Sequence, residues 1–236
     1  MADGASGPLV DAFAELSQAL FAGGEADALL EHLVERATRV IGGCEYASVS
    51  MLDAGGRIHT PVASDPLVVE LDELQYQTGE GPCVEATKKD APAVYGADVA
   101  HDGRWPAFGP QASARGIGSL ISYKLVADGT VGALNLYARR PEAFGDADRE
   151  SAYLLAMFAS VVLASTQARL QAAQLRDALQ SRDVIGQAKG ILMEREKVTA
   201  DDAFDLLRRA SQHLNRKLRD LAEDIATTGE EPPVLR

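Results

Sequence analysis

The chain has 236 residues, 46% of them hydrophobic and 25% charged, which suits one large globular domain or two small ones and excludes wholesale disorder. Its formal net charge of −12 argues against indiscriminate binding of polyanions. The acidity is uneven, however: residues 1–175 hold 12 Lys+Arg against 23 Asp+Glu, whereas residues 176–228 hold 10 of each, so a basic face there needs only segregated signs.

The first residues carry Asp3, Asp11 and Glu15 and no cationic run before an apolar one, so they do not read as a signal peptide. Pro8–Phe21 has apolar residues at helical spacing and stops at Gly23-Gly24. Ala26–Ile41 is a second helix with the stripe Leu29, Leu30, Leu33, Val34 and Ala37. Two strand-like segments follow, Glu45–Leu52 and Arg57–Ala63, and the Asp53-Ala54-Gly55-Gly56 turn between them indicates a hairpin. Pro66–Gln77 reads as a helix, Gly79-Glu80-Gly81-Pro82 as a loop, and a short helix starts at Cys83. Ala93–Tyr95 is a brief strand and Trp105–Arg115 a helix. Ser119–Val126 and Val131–Tyr137 form strands around an Asp128-Gly129 turn. The order ααββααβαββ, with hairpins expected at both ends of the sheet, predicts an α+β layer with helices behind it.

After Gly145-Asp146 no Pro or Gly occurs until Gly186, so one long connecting helix is expected. Leu154 and Phe158 are expected to pack on the sheet. Leu163, Leu170, Leu175 and Leu179 lie near heptad spacing, which suggests a coiled-coil homodimer; the alternative is a single amphipathic helix lying on its own domain. The most apolar stretch, Leu154–Ala164, reads as too short for a membrane span and is interrupted by Ser160, so a cytoplasmic protein is expected.

The last module predicts three short helices. The first carries Ala178, Ser181, Ile185, Ala188 and Leu192. Thr199 with Asp202 forms a capping-box-like start to the second, whose stripe is Ala203, Leu207, Ala210 and Leu214. Asn215 is expected to cap the third, whose stripe is Leu218, Leu221, Ala222 and Ile225; Gly229 and Pro232-Pro233 stop it. The small residues Ala188, Gly190 and Ala203 are expected to allow close helix approach. The expected domains are 8–150, a connecting helix 151–177, the three-helix module 178–228, and a tail 229–236.

The run Gln187-Ala188-Lys189-Gly190-Ile191-Leu192-Met193, followed in order by Ala203-Phe204, Leu206-Leu207-Arg208, Ser211, Asn215 and Lys217-Leu218-Arg219-Asp220-Leu221-Ala222, resembles the ANTAR family over roughly residues 170–227. The resemblance implies an RNA-binding antiterminator that recognises paired hairpins in leader RNA. The residues themselves are compatible with that. Arg182 and Lys189 are seven apart and share a helix face, Gln187 lies near it, and Arg216, Lys217 and Arg219 add cations. Arg195, Lys197, Arg208 and Arg209 are secondary candidates. Phe204 is the one aromatic of this module, so Arg guanidinium planes are expected to do the base stacking. The competing reading of these cations is a solvated surface paired to Asp201, Asp205, Asp220 and Glu223.

The strand–helix order, with the segment from Leu71 to Cys83 containing Gly79-Glu80-Gly81-Pro82-Cys83, resembles GAF domains over roughly residues 8–165. That implies a cavity for an unidentified small ligand or an upstream protein signal, with Gly79, Glu80, Gly81 and Cys83 in a candidate pocket loop; an ordinary turn is the competing reading. The NKFDE pattern of cyclic-nucleotide-binding members is absent. No cofactor is evident. His59 or His101 are the axial candidates a haem would need, but surface histidines explain them better, and Asp98, His101 and Asp102 in one loop are common by chance. Cys44 and Cys83 read as reduced thiols. No nucleophile–base motif is present, so a non-enzyme is expected; a sulfoxide reductase on this fold would have only Cys83, without a resolving partner. The alternative function is a signalling protein that uses the C-terminal bundle for dimerisation or partner docking.

Overall fold

The computed structural model describes residues 6–53, 55–88, 91–127 and 130–229, so the Asp128-Gly129 turn, Ala54 and Pro232-Pro233 lie outside the described residues. It divides into two compact units between Ala168 and Arg169.

The first unit contains α1 (Ser6–Phe21), α2 (Ala26–Val40), β1 (Tyr46–Leu52), β2 (Ile58–Ala63), α3 (Pro66–Thr78), α4 (Pro82–Lys88), β3 (Ala93–Gly96), α5 (Gly109–Ala114), β4 (Ser119–Ala127), β5 (Thr130–Ala138) and the start of α6 (Asp146–Glu196). The element order is the expected one. The five strands form an antiparallel sheet in the order β2-β1-β5-β4-β3. Only the β1–β2 hairpin sits at an end. The β4–β5 hairpin is central, because β3, with Val94 opposite Ser122, covers the outer edge of β4 that would otherwise be bare.

Strand alternation separates two cores. Ala47, Val49, Ile121, Leu134 and Leu136 pack with Leu30 and Leu33 of α2 and with Leu155 and Val162 of α6. Leu120, Ala133 and Tyr137 face the opposite side, under α3, α4 and α5. Helices thus flank both faces of the sheet. The strand sequences carry the reason: β1 and β4 are buried through consecutive residues, as in a sheet covered on both sides. The α5 helix is shorter than expected. It spans Gly109–Ala114 only, and the turn that leads into it is tied by the Glu80 carboxylate, which accepts from the amides of Ala107 and Phe108 at 2.7 and 3.0 Å, and by the Gly109 amide, which donates to the Trp105 carbonyl at 2.8 Å.

Within α6, Ala152, Leu155, Ala156, Ala159, Val162 and Leu163 join the sheet core. Leu154 does not: it is 47% exposed, one helical step off that face. Phe158 does pack, edge-on to Phe13 at 5.7 Å. Leu163, expected in a coiled coil, is spent on the sheet. By length and composition α6 is long and apolar enough to cross a membrane, although 28% of the apolar window is buried. Ser160 does not interrupt the helix, since its hydroxyl donates back to the Ala156 carbonyl at 3.1 Å.

The second unit holds the rest of α6 with α7 (Ala200–Leu214) and α8 (Leu218–Thr228). The α6 helix continues unbroken through Gly186 and Gly190. Thr199 and Asp202 make the expected capping box. Ala188, Leu192, Ala203, Leu207, Ala210, Leu221, Ala222 and Ile225 form the core. Asn215 is the C-cap of α7, left-handed at φ 49°, which asparagine tolerates; Lys217 precedes α8 without a side-chain cap. Close approach is made by Ala188 and Ala203, both fully buried, whereas a Cβ at Gly190 would meet nothing within 4 Å.

Candidate functional site

The C-terminal cations divide between two flanks of α6. Arg182 and Lys189, seven residues apart, line one groove of about 460 Å³ together with Ile185, Gly186 and Phe204 of α7. The Lys189 ammonium lies 5.8 Å from the centre of the Phe204 ring. Gln187 is not in this groove: it lines another, of about 600 Å³, with Gly190, Arg195 and Ala226 of α8. Arg219 donates from that side to Gln180 Oε1 at 3.1 Å. Arg216 pairs with Asp224 at 2.8 Å, and its carbonyl accepts from Ser211 Oγ at 2.6 Å. Lys217 is exposed at the start of α8. Of the secondary candidates, Arg208 pairs with Asp205 at 3.0 Å, Lys197 pairs with Glu194 at 2.9 Å, and Arg195 donates to the Gly229 carbonyl. Such exposed pairs hold their cations weakly. Phe204, the single aromatic of this module, joins the groove although it is not among the expected site residues; its place beside, not within, the apolar stripe of α7 is the sequence signal for it.

The first unit contains a buried polar cluster that sequence reasoning missed. Asp72 on α3 is fully buried between helix and sheet. Its Oδ2 accepts from Ser48 Oγ at 2.6 Å and Thr60 Oγ1 at 2.9 Å. Its Oδ1 accepts from the Tyr137 hydroxyl, from Asn135 Nδ2 at 3.2 Å and from Gln75 Nε2 at 3.4 Å. None of these partners is cationic. Burial therefore dominates and pushes the Asp72 carboxyl up to about 6, against the opposing pull of those hydrogen bonds. Tyr76 shares hydrogen bonds with Ser50 at 2.6 Å and Thr60 at 2.7 Å, and burial raises its hydroxyl well above the ordinary range. The cluster was partly legible: Ser48 and Ser50 stand at alternate positions of one strand, and Asp72 interrupts the apolar run of α3.

The Gly79–Cys83 loop attaches to this cluster. Gly79 ends α3 with φ 69°, and Gly81 has φ 111° and lies so close to Gln75 that a Cβ would come within 2.3 Å of its Oε1. That oxygen accepts the Cys83 amide at 2.9 Å. The Cys83 thiol is fully buried and pushed up to about 12, chiefly by burial, a state that leaves little thiolate at neutral pH. Glu80 points elsewhere and clamps the amides before α5. The loop is thus divided between the cluster and a structural tie. Cys44 is likewise buried, with its thiol pushed up to about 12 by desolvation. His59 and His101 are exposed, the latter 2.8 Å from Asp98, and among the described residues no three His, Cys, Asp or Glu side chains gather as a metal site.

The GAF domain family model matches residues 25–164, and the ANTAR domain model matches residues 173–225. A search of curated proteins gave no match. Among solved structures, the free methionine-R-sulfoxide reductase of Neisseria meningitidis, in complex with its substrate, is 16% identical at a TM-score of 0.53, covering 68% of this chain and 89% of that one. The GAF domain of an Acinetobacter phosphoenolpyruvate-protein phosphotransferase is 15% identical at 0.52, covering 69% and 96%. That of Coxiella burnetii ptsP is 15% identical at 0.53, also covering 69% and 96%. At such identities the likeness concerns fold alone. With the sheet, the connecting helix and the three-helix unit matched by both family models, the chain belongs to the GAF domain family and carries an ANTAR domain behind it, the combination of a signal-responsive regulator.

Proposed function

We propose that this protein is a non-enzymatic, cytoplasmic homodimer that binds structured leader RNA through its ANTAR domains and acts by transcription antitermination under control of a signal read by the GAF domain. The observation that carries the RNA reading is the groove shared by Arg182 and Lys189, two exposed-side cations that form no ion pair with a described carboxylate. Cations free to meet phosphates give affinity, and a neighbouring aromatic gives a surface for bases. Two domains in a dimer hold two hairpins of one transcript, and effective concentration makes the pair tighter than either alone.

Gel-shift titration of the full chain with a synthetic two-hairpin RNA tests this. Replacing both Arg182→Ala and Lys189→Ala should weaken binding by at least about 10-fold and flatten its dependence on salt. Unchanged affinity would remove this face from the interface. A chain that binds no structured RNA at low salt, yet forms a stable complex with another protein, would favour the partner-docking alternative.

A further inference from the structure

Phe204 is 38% exposed although it sits on a helix whose core positions, Ala203 and Leu207, are fully buried. It therefore contributes little to the bundle core and much to the wall of the groove. Across the groove, Gly186 presents no side chain, and a Cβ there would meet nothing within 4 Å, so the α6 wall opposite the ring leaves room. At about 460 Å³ the groove falls within the range of small-molecule sites. Its rim is cationic: Lys189 lies over the ring and Arg182 stands one heptad away on the same helix face. Neither is neutralised by a described carboxylate, in contrast to Arg208, Arg216 and Lys197. An aromatic floor flanked by two unpaired cations is complementary to a planar base with its own phosphates on either side.

We infer that Phe204 is the stacking platform for one unpaired RNA base, which enters the α6–α7 groove while Arg182 and Lys189 engage the flanking phosphates. This rests on the RNA-binding reading and assigns it a base-contacting residue. It moves the stacking role from arginine planes to the aromatic ring. It also separates two contributions: the ring acts by contact area, the cations by counterion release.

The two contributions have different signatures, which the full-length chain can report with a two-hairpin RNA carrying 2-aminopurine at successive loop positions. In the wild type, one loop position should change fluorescence on binding as its base stacks on the ring. Phe204→Leu should lose that change and about 10-fold in affinity, with the salt slope unchanged. Phe204→Tyr should retain both, and circular dichroism melts verify that each variant is folded. Arg182→Ala should instead lower the salt slope by about one. If the wild type binds RNA but Phe204→Leu binds it equally well with the fluorescence change intact, the platform is overturned and the RNA reading stands. Absence of wild-type RNA binding overturns both.

Discussion

Asp72 shows what one residue can reveal about the sensor half. A carboxylate removed from water without a cationic partner costs stability, and its protonated form is favoured. Its carboxyl rises from 3.8 to about 6, so between those values the folded state holds more protons than the unfolded one. Stability contributed by this group is therefore fully present below about pH 4 and is lost as pH rises to about 6, by about 3 kcal/mol. Asp72→Asn removes that dependence. Urea unfolding of both proteins from pH 4 to 7 should show the variant gaining on the wild type by about 2–3 kcal/mol over the window; a constant gap would mean that Asp72 does not titrate there. The GAF resemblance drew attention to Gly79–Cys83 because those residues form a motif. The hub seven residues earlier has no such motif, since its partners Ser48, Thr60, Asn135 and Tyr137 come from three strands far apart in sequence. Only the pleat of the sheet makes them neighbours.

At the scale of elements, the sequence was most legible where a local rule governs. The Thr199–Asp202 capping box and the Gly79 and Gly229 helix ends all follow from chemistry within a few residues. It was less legible where neighbouring elements compete. Asn215 satisfies rules for a helix start and a helix end, and the turn into α8 selects the end. Trp105–Phe108 has helical composition, yet the regular helix begins only at Gly109, after a turn that Glu80 ties from another loop. Gly186 and Gly190 carry the same lesson inside α6, because a glycine in mid-helix costs about 0.5–1 kcal/mol relative to alanine and neither is needed for packing within the described unit. Gly186→Ala should therefore raise the thermal stability of the C-terminal unit by about that amount. It should also weaken binding of a two-hairpin RNA, since its methyl group would project into the groove before Phe204. Higher stability without loss of affinity would place the RNA elsewhere.

For the whole molecule, the question is why α6 is apolar enough to resemble a membrane span. Its sheet-facing stripe, Ala152, Leu155, Ala159 and Val162, supplies one part of that character. Another part is a second stripe, Leu154, Met157 and Val161, with Met157 50% and Val161 52% exposed. Carried onward in heptad steps, this stripe meets Ala164, Ala168 and Leu175, the last 62% exposed. Leu163 belongs to the sheet, so a pairing seam on this helix would have to run through Leu154, Met157 and Val161 instead. A helix apolar on two faces needs two partners, and a second copy of the same helix supplies a self-complementary one. Met157→Glu with Val161→Glu places four carboxylates in such a seam and should turn a dimer into a monomer in sedimentation velocity. Because the ANTAR cations are untouched, single-hairpin RNA should bind the monomer as before, while the advantage of a two-hairpin RNA, expected at about 100-fold or more from effective concentration, should disappear. Dimers that persist in the double variant would assign the seam to another partner, and a two-hairpin advantage retained by a proven monomer would show that one chain can hold both hairpins.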